Sequence, residues 1–256
     1  MTAEPASPAA RSRYEAIGGG YAAARRPDAR IAAAILDAVG AGSRVVNVGA
    51  GTGNYEPDRS GVVAVEPSAL MIAQRSPDAA PCVRGVAECL PFATSTFDVA
   101  MCTLTVHHWH DRARGLAELR RVSRRQVVYY FEPALTDQAW LLSYWPEILE
   151  LPTEIAAPGE AFFREHLDVR EVQVVPVPND CTDGFGGAFW ARPEAYLDAA
   201  VRAGMSSFAQ LDAGATARGH DRLRADLASG RWDARLGHLR ALAAYDVGYR
   251  IVVAGS

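Results

Sequence analysis

The spacing of apolar residues divides the chain into two parts of different texture. Up to about residue 135, short β-branched runs alternate with stretches of helical periodicity. Asp28, after Pro27, can cap a helix in which Ile31, Ile35, Leu36 and Val39 share one face and Gly40 ends the turn. Residues 44–48 and 62–66 read as buried strands, and a helix carrying Leu70, Met71 and Ala73 is expected from Pro67. Residues 82–84 read as a short strand, and residues 97–104 as a longer one that is apolar on both faces. Asp111 opens a helix with Leu116, Leu119 and Val122 at helical spacing, and residues 126–131 close the series as a fifth strand.

From Thr136 the pattern changes. A tryptophan-rich helix (Trp140, Leu141, Tyr144, Trp145, Ile148, Leu149) is expected to lead into proline-rich loops. A strand over residues 169–177 follows, then some seventy residues rich in helix formers, then a last strand over 249–253. Strands without strict alternation, separated by helices, predict an α/β fold: a Rossmann-like, doubly wound, mostly parallel seven-stranded sheet. A helical cap is inserted before the last strand. The expected organisation is N-terminal helices and a cofactor-binding core over 1–135, a cap over 136–248 that also contributes the strand near 169–177, and residues 249–256 returning to the core.

Composition narrows the chemistry. All 26 basic side chains are arginine. Without lysine the chain can form no Schiff base, no Walker A loop and no lysine-dependent reductase site. A net charge of −4 argues against a nucleic-acid surface. The four cysteines form neither a CxxC pair nor a zinc-like cluster, which fits a reduced, cytoplasmic setting. Residues 1–10 lack the apolar stretch of a signal peptide, and no apolar run is long enough to span a membrane. The expected partner is a small molecule. Oligomeric state is not legible.

The most informative stretch is Val48-Gly49-Ala50-Gly51-Thr52-Gly53-Asn54. A strand running into Gly-x-Gly-x-Gly sets a tight turn at the carboxyl edge of the sheet, where missing Cβ atoms let a ligand lie on the backbone. Glu66, seventeen residues after Gly49 at the end of the second strand, can accept both hydroxyl hydrogens of a ribose. Turn and acid together indicate an adenine nucleoside. A dinucleotide would want its third glycine one position later, where Asn54 stands. The observed spacing suits a phosphate-free ligand with a methionine-like tail, and a nicotinamide-dependent oxidoreductase is the alternative.

From about Tyr14 to Pro133 the chain resembles the class I S-adenosylmethionine-dependent methyltransferases of the small-molecule kind, including the ubiquinone/menaquinone methyltransferases. The likeness rests on the glycine loop, Glu66, Gly85-Val86-Ala87-Glu88-Cys89-Leu90-Pro91-Phe92, Phe97-Asp98 and Val106-His107-His108-Trp109. It implies S-adenosylmethionine as cofactor. Asn47, Gly49, Ala50, Gly51, Gly53, Glu66, Pro67, Ala87, Glu88, Thr103 and Tyr21 would then be the cofactor-binding residues. Tyr14, Trp140, Trp145, Phe185 and Trp190 are the substrate candidates. It further implies that the N-terminal segment of Tyr14 and Tyr21, with Gly18-Gly19-Gly20 as hinge, closes over the cofactor. Two departures stand out: Asn47 replaces an acid that helps hold the cofactor's amino group, and Val86 replaces an aspartate that hydrogen-bonds the adenine. Weaker cofactor binding or a substitute contact is therefore expected.

Methyl transfer from a sulfonium is an in-line displacement that needs alignment and a water-poor pocket. A base is required only for a protonated nucleophile, and His107 or His108, after the fourth strand, is placed to serve. His110 is expected to be exposed, and the trio is not expected to bind a metal. Residues 179–187, polar and glycine-rich, are a candidate substrate loop. Arg218, Arg222, Arg224, Arg231, Arg235 and Arg240 read as solvated helix faces. A protein that binds S-adenosylmethionine without transferring its methyl group is a second alternative.

Overall fold

A computed structural model describes residues 25–41, 44–58 and 60–256. Helix α1 (Ala29–Val39) starts at Asp28, whose carboxylate accepts the Arg30 N–H, and buries Ile31, Ile35 and Val39. Strands β1 (Val45–Val48) and β2 (Val62–Glu66) follow. The described residues between them contain no helix. Then come α2 (Ala69–Ala73), capped by Ser68, β3 (Cys82–Arg84) and β4 (Phe97–Thr103). Asp111 caps α3 (Arg112–Val122), which feeds β5 (Ser123–Phe131).

The expected tryptophan-rich helix does not form. Two separate 3-10 turns, Trp140–Ser143 and Pro146–Glu150, take its place. Pro146 has no N–H to donate and starts a new turn instead of continuing the old one. Helices α4 (Pro152–Ile155) and α5 (Glu160–His166) lead to β6 (Val169–Val174). The strand expected to run on to residue 177 stops there, because Pro176 intervenes. Val177–Pro178 (β7) pairs instead with Ala244–Tyr245 (β8) in a separate two-stranded ribbon. Between them lie α6 (Ala199–Ala203), α7 (Ala213–Ala228) and α8 (Arg231–Leu236), and β9 (Tyr249–Gly255) ends the chain.

The main sheet has the order β3-β2-β1-β4-β5-β9-β6. The pairs within β1–β5 are parallel, and β9 is antiparallel to both β5 and β6. This is the predicted doubly wound, mostly parallel sheet of seven strands. Its apolar runs face both ways: Val127 and Tyr129 pack with α1, whereas Val128 and Tyr130 pack with Leu116, Leu119 and Phe163 on the other side. Strand order reverses between β1 and β4, which opens a crevice at the carboxyl ends of those two strands. Both signature segments, the glycine loop after β1 and the histidines after β4, leave the sheet at that crevice.

Candidate functional site

The glycine loop owes its residue types to two different causes. Gly49, Gly51 and Gly53 all have positive φ (70°, 54° and 98°), which L side chains adopt at a cost. A Cβ on Gly49 would lie 2.2 Å from Thr105 Oγ1, so this glycine lets the end of β1 pack against the segment after β4. A Cβ on Gly51 would meet nothing within 4 Å, so this position faces open space into which a ligand backbone can be laid. Gly49 and Ala50 both donate their N–H to Val65 O (2.8 and 3.1 Å), tying the loop to β2.

Glu66 closes the cradle from the β2 side. Its carboxylate accepts the Gly51 N–H at Oε2 (2.8 Å) and the Ser68 N–H at Oε1 (2.9 Å), and only 4% of the residue is exposed. Burial raises its pKa above the ordinary carboxylate value, and the two backbone donors and Arg75 work in the opposite direction. Pro67, next in the chain, is half-buried.

Beneath the loop lies a polar network that the sequence did not announce. Asn47 is fully buried and donates its Nδ2 to Glu56 Oε1 at 3.0 Å. A carboxylate can only accept, so this bond fixes the amide orientation. Asn47 Oδ1 then points elsewhere, buried and without a hydrogen-bond partner among the described residues. Glu56 in turn pairs with Arg75 (2.7 Å), their side chains 6% and 5% exposed, and Arg75 also reaches Gly51 O (3.3 Å) and Ala80 O (3.0 Å). Glu56 thus sits under the loop with its charge matched by Arg75. No spacing rule joins residues 47, 56 and 75, so nothing in the sequence could have found the trio.

On the far side of the crevice, residues 86–92 are pinned to α3. Glu118 and Arg121 clamp the backbone of Leu90 and Phe92. Glu88 Oε1 accepts the N–H groups of His110 and Asp111 (2.8 and 3.1 Å), and Ala87 is buried near Trp109 and Gly115. Thr103, at the end of β4, is half-buried. His107 and His108 lie on a single 3-10 turn, Val106–His108, their ring centroids 3.8 Å apart, while His110 is exposed. Among the described residues no group of three or more His, Cys, Asp or Glu could hold a metal ion.

Both histidines line a cavity of about 160 Å³ between the carboxyl edge of the sheet and residues 139–207 of the cap. Trp140, Phe185 and Trp190 also line it. Trp145 does not: it is fully buried, its Nε1 donating to Thr216 O (3.2 Å) and its ring against Phe208, so it holds the cap together. The candidate substrate loop proves to be stapled. Asp183, fully buried, accepts two bonds from Arg25 (2.6 and 3.1 Å) and one from the Tyr55 hydroxyl (2.7 Å). Asp28 accepts the Thr182 N–H (3.2 Å). Its polar groups are therefore spent on joining the cap to α1 and to the glycine loop, while Phe185, Gly186 and Gly187 face the cavity. Tyr14 and Tyr21, with the glycine hinge between them, lie outside the described residues.

An open cradle at Gly51, a carboxylate at the β2 end and an orphaned buried acceptor at Asn47 suit a nucleoside with a cationic amino-acid tail and no phosphates. Comparison with known proteins agrees. The methyltransferase-domain family profile matches residues 46–131. A solved structure from Anabaena variabilis, assigned as a methyltransferase from an antibiotic biosynthesis pathway, is similar at 32% identity and a TM-score of 0.81, covering 91% of this chain and 99% of its own. A demethylmenaquinone methyltransferase from Beutenbergia cavernae is 38% identical over 100 residues, 36% of this chain and 41% of that protein. The chain thus spans less than half the length of the curated relatives it matches. The fold is also that of the geranyl diphosphate C-methyltransferase of Streptomyces coelicolor, solved with S-adenosylhomocysteine (13% identity, TM-score 0.53, covering 98% of this chain and 99% of that one). The chain belongs to the class I S-adenosylmethionine-dependent methyltransferases, and S-adenosylmethionine is its cofactor.

Proposed function

We propose that the enzyme methylates a small, aromatic or otherwise apolar molecule at oxygen, nitrogen or carbon, in a cytoplasmic setting. The observation that carries this reading is the cavity itself. It lies over the carboxyl ends of β4 and β5 and the start of β9, walled by aromatic side chains of the cap, with the two histidines at its sheet side. The bound cofactor supplies a methyl group already activated by its sulfonium. The chain's part is to hold the two reactants in line and to keep water out. Glu66 receives the ribose hydroxyls, the Gly51 backbone leaves room for the tail, and Asn47 Oδ1 accepts from its ammonium. Trp140, Phe185 and Trp190 cover the acceptor. His107 or His108 takes the proton of an acceptor that arrives protonated.

The test is formation of S-adenosylhomocysteine with a panel of small aromatic alcohols, amines and activated carbons. Formation above the acceptor-free control, lowered in His107→Gln or His108→Gln with a changed pH profile between pH 6 and 9, supports the reading. Tight cofactor binding without turnover on any member would favour the alternative of a non-transferring protein. Unchanged turnover in both variants would remove the histidines from proton transfer.

A further inference from the structure

One charged group in the cavity has no use in the scheme above. Glu154, on α4, lines the cavity beside the histidine turn. The arginine at the cavity and the acid behind its wall are matched. Arg25 meets Asp183 in a two-point ion pair, and Glu132, behind the wall, receives the Tyr130 hydroxyl (3.0 Å) and the Glu160 N–H (2.7 Å). The Glu154 carboxylate makes no hydrogen bond or ion pair with any described residue, and it is the one acidic side chain among the described residues lining the cavity. Burial alone raises its pKa, with no donor or cation to oppose it.

A carboxylate left alone in apolar surroundings destabilises the fold unless something brings it a partner. The rest of the cavity says which partner fits. The rings of Trp140, Phe185, Tyr196 and Tyr249 line it, and aromatic faces attract cations as a carboxylate does. An anionic acceptor would find the Arg25 charge already taken and Glu154 opposed to it. A neutral one would leave Glu154 unmatched.

We propose that Glu154 is the acceptor-recognition residue of this enzyme, and that the acceptor is an arylalkyl amine whose ammonium pairs with it. This rests on the methyl-transfer reading above and adds to it the substrate class. In the bound state the aromatic body lies against the cap rings and the ammonium faces α4. Glu154 acts here in binding and selection; the ammonium passes one proton to His107 or His108, which line the same cavity, before its nitrogen, then bearing a free lone pair, can accept the methyl group.

Arylalkyl amines and their isosteric alcohols (phenethylamine with 2-phenylethanol, tryptamine with tryptophol) are assayed as acceptors by S-adenosylhomocysteine formation, on wild-type and Glu154→Gln protein. S-adenosylhomocysteine affinity is measured separately by calorimetry, and folding by thermal melting. The amines should be preferred by wild-type protein, and Glu154→Gln should raise their KM about 10- to 100-fold with a smaller change in kcat. The alcohols should not lose by the substitution, and cofactor affinity should stay the same. Preference for alcohols, amine KM unmoved in Glu154→Gln, or no turnover of any amine while the cofactor still binds would each overturn the proposal. Failure to bind the cofactor at all would instead strike at the methyl-transfer reading. If Glu154→Gln unfolds, Glu154→Asp, which retains the charge but shortens its reach, must raise KM for amines selectively, or the proposal fails.

Discussion

The Glu56–Arg75 pair under the glycine loop makes a prediction whose size can be worked from the geometry. Glu56→Ala strands the Arg75 guanidinium in a site where its side chain is 5% exposed. Removing one partner of a buried ion pair costs about 3–5 kcal/mol, because the other charge stays behind. Arg75 keeps two carbonyl acceptors, Gly51 O and Ala80 O, which places the cost near the lower end. Asn47 Nδ2 also loses its acceptor, adding about 1 kcal/mol. A total near 4 kcal/mol corresponds to a melting point lower by roughly 8–16 °C for a domain of this size. Glu56→Ala/Arg75→Met removes the stranded cation as well, so it should be less destabilised than the sum of the single variants, by at least about 1.5 kcal/mol. Urea denaturation followed by circular dichroism measures all three. The loop should loosen with its anchor, and calorimetry should find S-adenosylhomocysteine bound about tenfold more weakly by Glu56→Ala. A loss under about 1 kcal/mol in Glu56→Ala, or additive effects in the double variant, would refute the idea that the pair anchors the loop.

Three further outcomes follow from other sites. Ionised Glu66 is the form that accepts ribose hydroxyls, and burial raises its pKa, so cofactor affinity should fall as pH drops through a value above the ordinary 4.5; calorimetry from pH 8 to 5 should see this, and Glu66→Gln should bind weakly without the pH dependence. Gly219→Ala, worth about 1 kcal/mol of added stability in an exposed helix, should instead destabilise by about 1–3 kcal/mol in thermal melts, because the new Cβ would lie 2.2 Å from Trp145 Nε1. Its hydrogen bond to the Arg30 side chain, above all, holds the Asp28 pKa down at about 2 from 3.8, so its stabilisation is present above pH 4 and lost as pH falls through 2; Asp28→Asn should remove that part of the acid-unfolding curve.

How far the sequence could be read depended on whether a feature was local. The strands over 62–66 and 82–84 match their apolar runs residue for residue, because glycine and proline bound those runs on both sides. β5 begins three residues before its apolar run: Ser123, Arg124 and Arg125 carry no apolar signal, and it is pairing with β4 and β9 that makes them strand. The helix expected over 140–149 ignored Pro146. Glycine spacing and Glu66 located the cradle because both lie at strand ends. Glu56, Arg75 and Asp183 act across 19 to 158 residues of chain, and no period records such distances. Glu154 left only a faint trace, a single acid among Leu151, Pro152, Ile155 and Ala156, which is indistinguishable from a surface turn until the cavity is seen.

The carboxylate of Asp183 has a consequence for how the two ligands bind. One side chain holds Arg25 at the cavity, Tyr55 in the glycine-loop crossover and the segment that presents Phe185. Occupancy of the cradle and occupancy of the cavity therefore share a joint. Any free energy that one ligand transmits through it, the other must return in full, so a cofactor that tightens the acceptor tenfold is itself tightened tenfold. Asp183→Asn should then weaken the coupling between the two ligands, read as a smaller change in acceptor affinity on adding S-adenosylhomocysteine.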